Sequence, residues 1–357
     1  MPAFGAYVHI PFCAKRCDYC AFATWTDRHH LTDAYLGAVV TEIQRAVSEG
    51  MPPATSVFFG GGTPSMVPGA ELMAVLDALP VAEGAEVTVE CNPDTVGADL
   101  LACYRDHGVN RLSLGVQSMV PRVLAALGRT HDPANVRRCV DFARDAGFTT
   151  FNLDLIYGAV GETLADWEVT LREALALEPP HISAYALTVE AGTPLADDPA
   201  RHPDDDEQAA KYELADDLLA KAGLPNYEIS NWAQPGHECR HNLLYWAQGD
   251  YLGFGCAAHS HMVGRRWWNV RTPDRYIAVV VDGQRAEAAG EDLDDETRRL
   301  EGLQLALRTR DGVPATSFAP TDLSQLREHG LVVEDEDRVV LTRSGRLLAN
   351  DISTRLR

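Results

Sequence analysis

Short apolar runs rich in β-branched residues alternate, along the first half of the chain, with longer stretches of helical period. The runs span residues 6–10, 56–60, 86–90, 111–116, 150–156 and 181–187, and their starts lie 50, 30, 25, 39 and 31 residues apart. Each gap has room for one helix, so the pattern predicts successive βα units around a parallel sheet. The helical stretches fall at 33–49, 71–79, 96–107, 121–126, 132–146 and 163–177. Asp132-Pro133 joins an N-cap acid to a proline at the first helical position, and Gly108 and Gly147 stand where helices should stop. Six strands are too few to close an eight-stranded barrel. The expected fold is therefore α/β, a partial (β/α)6 TIM-like barrel, with an open doubly wound sheet as the alternative. In either, function belongs beyond the C-terminal ends of the strands.

The pattern changes in the second half. An acidic loop at 196–207 leads into a predicted helix at 207–222. Residues 227–262 are rich in His, Asn, Trp, Tyr and Gly and read as loop that builds a site. Beyond Gly290 come a helix at 294–307, a helix at 321–329 and two short strands at 330–333 and 338–341, an order like that of a winged-helix module. The expected organisation is a barrel with its site-building loops over 1–268 and a helical, winged-helix-like module over 269–357. Glu334, Asp335, Glu336 and Asp337 make that module a poor partner for DNA and favour an interaction or lid role.

Composition narrows the classes. Apolar residues make up 46% and charged residues 23% of 357, an ordinary globular balance with enough chain for a large core. No apolar run approaches the ~18 residues of a membrane span. Met1-Pro2-Ala3-Phe4-Gly5 carries neither a basic stretch nor a long apolar one, so no secretory leader is expected. A net charge of −21 repels phosphate backbones and anionic lipid, which argues against nucleic acid as a partner. These features together predict a cytoplasmic protein.

Candidate chemistry begins with the cysteines. Of eight, Cys13, Cys17 and Cys20 crowd into eight residues with the spacing C-x3-C-x2-C, just after the first strand. Three thiolates on one turn suit three irons of a [4Fe–4S] cube, because soft sulfur is the ligand such clusters take. The next cysteine, Cys91, is 71 residues away, so the fourth iron is left open to a small molecule. Zinc is the rival and wants a fourth ligand, for which His9 is the nearest choice. Cys91, Cys103, Cys139 and Cys256 read as small buried hydrophobes.

The C-x3-C-x2-C loop resembles the signature of the radical S-adenosylmethionine (radical SAM) superfamily. The resemblance implies a [4Fe–4S] cluster whose open iron is chelated by S-adenosyl-L-methionine (SAM), with Tyr19 against the adenine. The segments Tyr7–Cys13, Phe59–Ser65, Glu90–Pro93, Gly115–Ser118 and Asp154–Gly158 are similar to the oxygen-independent coproporphyrinogen III oxidase group, and the likeness runs from residue 6 to about 350. It implies that Tyr7, Gly61, Gly62, Thr63, Glu90, Gln117, Arg129 and Asp154 line the SAM pocket. A carboxylate such as Glu90 or Asp154 suits ribose hydroxyls or an ammonium, and Arg129 suits a carboxylate.

Two features divide that group. The oxidases extend the signature to C-x3-C-x2-C-x-C, and here that place is Phe22. The segment Cys239–Trp246 contains H-N-x-x-Y-W, similar to the haem chaperones of the HemW family. That resemblance implies haem as cargo, haem-accepting apoproteins as partners, and His241 and Cys239 as haem-ligand candidates. It leaves room for a homodimer. The bland reading of His241, Asn242 and Trp246 is a packed, hydrogen-bonded contact between barrel and C-terminal module. The alternative function is oxidative decarboxylation of coproporphyrinogen III.

Overall fold

A computed structural model describes residues 3–129 and 131–357. Met1 and Pro2, the start of the stretch read above as lacking a leader, lie outside the described residues.

Six strands run parallel in chain order: β1 (Phe4–Ile10), β2 (Ala54–Gly61), β3 (Val81–Cys91), β4 (Arg111–Gln117), β5 (Phe151–Tyr157) and β6 (His181–Ala186). Between them lie α1 (Thr32–Ser48), α2 (Gly69–Asp77), α3 (Ala98–Asp106), α4 (Pro121–Ala126), α5 (Pro133–Asp145) and α6 (Leu164–Leu175), with α7 (Asp205–Lys221) after β6. Every strand neighbours the one before it. A doubly wound sheet would reverse direction at a switch point, so the order is that of a barrel wall and the sheet stays open. Asp132 caps α5 through the Ala134 amide, and Gly108 and Gly147 end their helices with φ of 92° and 82°, where a side chain would be strained.

The sheet extends on both sides. Beyond β6 it adds β7 (Asn226–Glu228) and β8 (Asn231–Ala233) as antiparallel strands. Helix α8 (Arg240–Trp246) follows, and then β9 (Asp250–Phe254) returns to pair parallel with β1. Next come β10 (His259–Met262) and β11 (Arg265–Asn269), helix α9 (Pro273–Val281), and β12 (Glu287–Asp292) on the far edge, for twelve strands in all. The segment expected as loop thus holds four strands and a helix. Its strands are short, and several of its marked residues lie off them: Arg240, His241 and Trp246 are on α8 and His237 is in the turn before it, so no period-two run is long enough to stand out.

The sheet does not stop at Trp268, since β12 pairs with β11. A separate core begins at Leu307 and gathers Val313, Phe318, Leu326, Val339 and Ile352. It is built by α10 (Asp295–Ala306), β13 (Val313–Pro314), α11 (Pro320–Glu328), β14 (Val332–Asp335), β15 (Arg338–Leu341), α12 (Arg343–Leu347) and α13 (Ala349–Ser353), with sheet order β13-β15-β14. We propose the division between the two units around residues 293–294, between β12 and α10, instead of 268/269, because the large core ends with Ala286 and the second takes in Leu300, Leu303 and Leu307.

Candidate functional site

The C-terminal ends of β1 to β6 open into a pocket of about 580 Å³ under the cysteine loop. Cys13, Cys17 and Cys20 all face it. The loop is pinned at both ends: the Cys13 and Trp25 amides bond to Trp25 and Pro11 carbonyls, and His9 Nε2 lies 2.9 Å from the Ala23 carbonyl. His9 Nδ1 meets the Tyr7 hydroxyl at 3.1 Å, so both ring nitrogens are engaged and no zinc ligand is offered. Burial lowers the His9 pKa to about 4, leaving it neutral.

Donors point at the sulfurs. Thr63 Oγ1 lies 3.7 Å from Cys13 Sγ, and Arg129 Nη1 lies 3.6 Å from Cys17 Sγ. Burial raises the Cys13 and Cys20 thiols above their ordinary values. Among the described residues no three side chains draw together tightly enough to cage a single ion. A cube has a different need, one thiolate for each of three irons, and three thiols on one pocket wall with donors behind them fit it.

The glycines that end β2 are dictated by packing. Gly61 has φ of 109°, and a Cβ there would overlap the His9 ring. A Cβ at Gly62 would come within 2.6 Å of the Phe12 carbonyl oxygen, and one at Gly60 within 3.0 Å of Glu90 Oε2. Bare backbone is needed here whatever the pocket holds: His9, the cysteine loop and Glu90 already fill the space a Cβ would take. Gln117 holds φ of 63° beside a bulge in β4, a strained conformation of the kind found at functional sites.

Of the nine residues expected around the cofactor, Tyr19, Gly61, Gly62, Thr63, Glu90, Gln117, Arg129 and Asp154 do line this pocket. Tyr7 does not. It points lower along β1, into a second cavity of about 580 Å³ inside the sheet's concave side. The strand explains this: residues on one face alternate, so Tyr7 lies two residues nearer the floor than His9. The two cavities share walls, including Phe22, Gly61, Glu90, Asp154 and Tyr185.

Glu90 and Asp154 are the acid pair of the junction. The Gly61 amide donates to Glu90 Oε2 at 3.0 Å, while Asp154 accepts from Ser113 Oγ at 2.6 Å and Asn152 Nδ2 at 2.7 Å. Burial first, and the Asp154 charge second, push the Glu90 pKa up to about 8. Arg129 Nη2 donates to the Gly115 carbonyl at 2.8 Å, and its Nε is buried with no partner among the described residues.

Helix α8 closes the inner chamber at the N-terminal ends of β1 and β2. His241 is buried there, with Nδ1 3.0 Å from Ser56 Oγ, Nε2 2.8 Å from the Tyr245 hydroxyl, and the ring stacked on Phe58. Burial lowers its pKa to about 3. Cys239 is buried with Sγ 3.6 Å from Glu86 Oε1, and burial raises its thiol to about 12. Asn242 also lines the chamber. The packed-contact reading holds: α8 is packed and hydrogen-bonded between β1 and β2 of the sheet and α10 of the C-terminal unit.

Several site residues escaped the sequence reading. Arg111 is buried, with Nη1 2.9 Å from the His237 carbonyl, a bond from Nη2 to His181 Nδ1, and Glu86 at 4.0 Å. Ser183 Oγ accepts from Asn152 Nδ2 at 2.8 Å and donates to Asn231 Oδ1 at 2.7 Å. The signal was period-two alternation: Arg111, Ser113, Gly115 and Gln117 on β4, and His181, Ser183 and Tyr185 on β6, all face the cavities.

The radical SAM superfamily pattern matches residues 7–174. A Mycobacterium tuberculosis protein named "Heme chaperone HemW" is 40% identical over 98% of this chain and 93% of its own length. The Escherichia coli protein of that name is 35% identical over 99% and 97%, and the Bacillus subtilis one 34% over 98% and 97%. The solved structure titled as coproporphyrinogen III oxidase (HemN) of Escherichia coli, a radical SAM enzyme, superposes with a TM-score of 0.86 at 26% identity, over 99% of this chain and 89% of that one. With its cysteine loop, strand-end pocket and full-length relatives in agreement, the chain belongs to the HemW family of the radical SAM superfamily.

Proposed function

We propose that this chain binds haem and hands it to acceptor apoproteins in the cytoplasm, with a [4Fe–4S] cluster and SAM as resident cofactors. The family implies the cluster and SAM; the haem role rests on the names its relatives carry. The observation that supports it most is the place of H-N-x-x-Y-W: the segment lines a chamber that shares walls with the cluster pocket, and Phe22 stands where the oxidases carry a further cysteine. Among the described residues no helix is long and apolar enough to cross a membrane.

Cys13, Cys17 and Cys20 would hold the cluster, and with SAM it supplies one-electron chemistry that no side chain here can. The chain's own work is to position and to screen. Thr63 and Arg129 donate toward sulfur and stabilise its negative charge. The Arg129 Nε, which has no partner among the described residues, is a donor suited to a carboxylate. Glu90 carries a proton at neutral pH, and a cation placed beside it would favour its ionised form, the proton leaving to water. Of the two haem-ligand candidates, His241 fits better. Its imidazole is neutral, the ligating form, and iron would replace the Tyr245 hydroxyl at Nε2. The Cys239 thiol stays protonated beside Glu86.

The test is anaerobic reconstitution with iron and sulfide, then haem titration and transfer to an apo-acceptor, with a parallel coproporphyrinogen III assay. Tight haem uptake, transfer and no decarboxylation are expected. Absent haem binding, or protoporphyrinogen as product, overturns the reading.

A further inference from the structure

Two features of the chamber mouth have no task in the mechanism above. The first is aromatic. Phe22, on the cysteine loop, is 67% exposed, and Tyr185, near the end of β6, is 39% exposed. Both stand in the wall that the cofactor pocket and the inner chamber share. A phenyl ring left in water forgoes the stabilisation that burial of apolar surface brings. The neighbouring loop residues Phe12 and Trp25 do pack against the core.

The second is a cation. Two arginines face the chamber. Arg111 is buried and committed to Glu86, His181 and the His237 carbonyl. Arg271, between β11 and α9, is exposed, and among the described residues it has no carboxylate within 4.0 Å and no side-chain hydrogen bond. It sits with His259, whose ring stacks on Trp268 at 5.7 Å. In a chain of net charge −21, a free guanidinium at a cavity mouth is a local exception that favours an anion.

We propose that this mouth is a binding zone for the carboxylate-bearing edge of a flat apolar ring, with Phe22 and Tyr185 taking the ring face and Arg271 pairing with a carboxylate at the rim. Haem has that chemistry, an apolar macrocycle with two propionates on one side. The proposal rests on the carrier reading and deepens it: the propionate edge faces the rim, outside the chamber closed by α8. Guanidinium and carboxylate pair with matched, charge-assisted hydrogen bonds, and aromatic rings offer a porphyrin a large, rigid contact face.

The experiment is an equilibrium titration of the full-length, cluster-reconstituted protein, followed by Soret absorbance, with haem and with haem dimethyl ester, whose carboxylates are masked. Arg271→Gln is expected to weaken haem binding about tenfold and leave the ester unaffected, the loss of one charge-assisted contact. Phe22→Ala is expected to weaken both about tenfold, and Phe22→Leu to restore part of the loss. Both positions are exposed, so the variants keep their fold. Wild-type uptake of haem that neither substitution changes overturns this site alone. A wild type that binds neither ligand overturns the carrier reading and this site with it.

Discussion

Arg129 reaches across 112 residues of sequence to set Nη1 3.6 Å from Cys17 Sγ. Its other terminal nitrogen bonds the Gly115 carbonyl at the bulge of β4. One guanidinium therefore ties the cysteine loop to the strand ends, and its buried Nε has no partner among the described residues. Arg129→Leu is expected to lower SAM affinity about tenfold or more and to lower iron retained after reconstitution. Arg129→Lys should not rescue it, because a point charge cannot serve sulfur, carbonyl and ligand together. Iron and sulfide assays with a SAM titration check both.

Glu90 gives a pH dependence with a definite sign. Its carboxyl ionises near 4.5 when unfolded and near 8 in the fold, because burial and then Asp154 disfavour the charge. The folded chain therefore holds an extra proton across that interval. Stability from this group is full below about 4.5 and is lost as pH rises through about 8. Glu90→Gln should erase that slope and gain ~2–4 kcal/mol over the wild type at pH 9. Denaturant unfolding of both proteins in the cofactor-free state at pH 5, 7 and 9 measures it.

Much of this was written in the sequence because β strands and cysteine loops leave local marks. Six strand runs and the capped α5 follow from period and cap chemistry, and the eight pocket residues from the resemblance of the motifs that carry them. The inner chamber does not. Arg111, Ser113, Asn152 and His181 look like ordinary polar residues in buried strands until the sheet curls and sets them on one concave face. The return of β9 to β1 is a pairing between residues about 245 apart, Phe4 with Asp250 and Val8 with Phe254, which no local pattern encodes. The same holds for His241, whose role depends on Ser56 and Phe58 from a distant strand.

The two hydrogen bonds of His241 separate its structural and ligating roles. Tyr245→Phe removes only the partner at Nε2 and keeps the ring contacts with Tyr251. It is expected to cost about 1 kcal/mol in stability and to tighten haem binding a few-fold, since the iron no longer competes with a hydroxyl. His241→Ala strands Ser56 and opens a cavity beside Phe58, so ~2–3 kcal/mol of stability is lost, along with the haem spectrum. Unfolding curves and Soret titrations of both variants distinguish these effects.

One of the ties between the C-terminal unit and the sheet is a small polar knot. Asp216 on α7 accepts from Arg346 Nη1 at 3.2 Å and Nη2 at 2.9 Å, and from Trp232 Nε1 on β8 at 2.9 Å. Arg346 also lies over the Tyr212 ring at 5.6 Å. Arg346 and Asp216 are mostly shielded from water, which makes the pair worth more than a surface bridge and makes its rupture costly. Asp216→Ala leaves a guanidinium and an indole N–H without their acceptor, and should destabilise the protein by ~2 kcal/mol. Because the second core is built almost wholly from residues beyond Leu307, the loss should appear as undocking before unfolding. Limited proteolysis is then expected to cut around the link between β12 and α10, residues 293–294, several-fold faster while the parallel sheet resists. Cleavage spread evenly along the chain would mean that the two cores unfold as one.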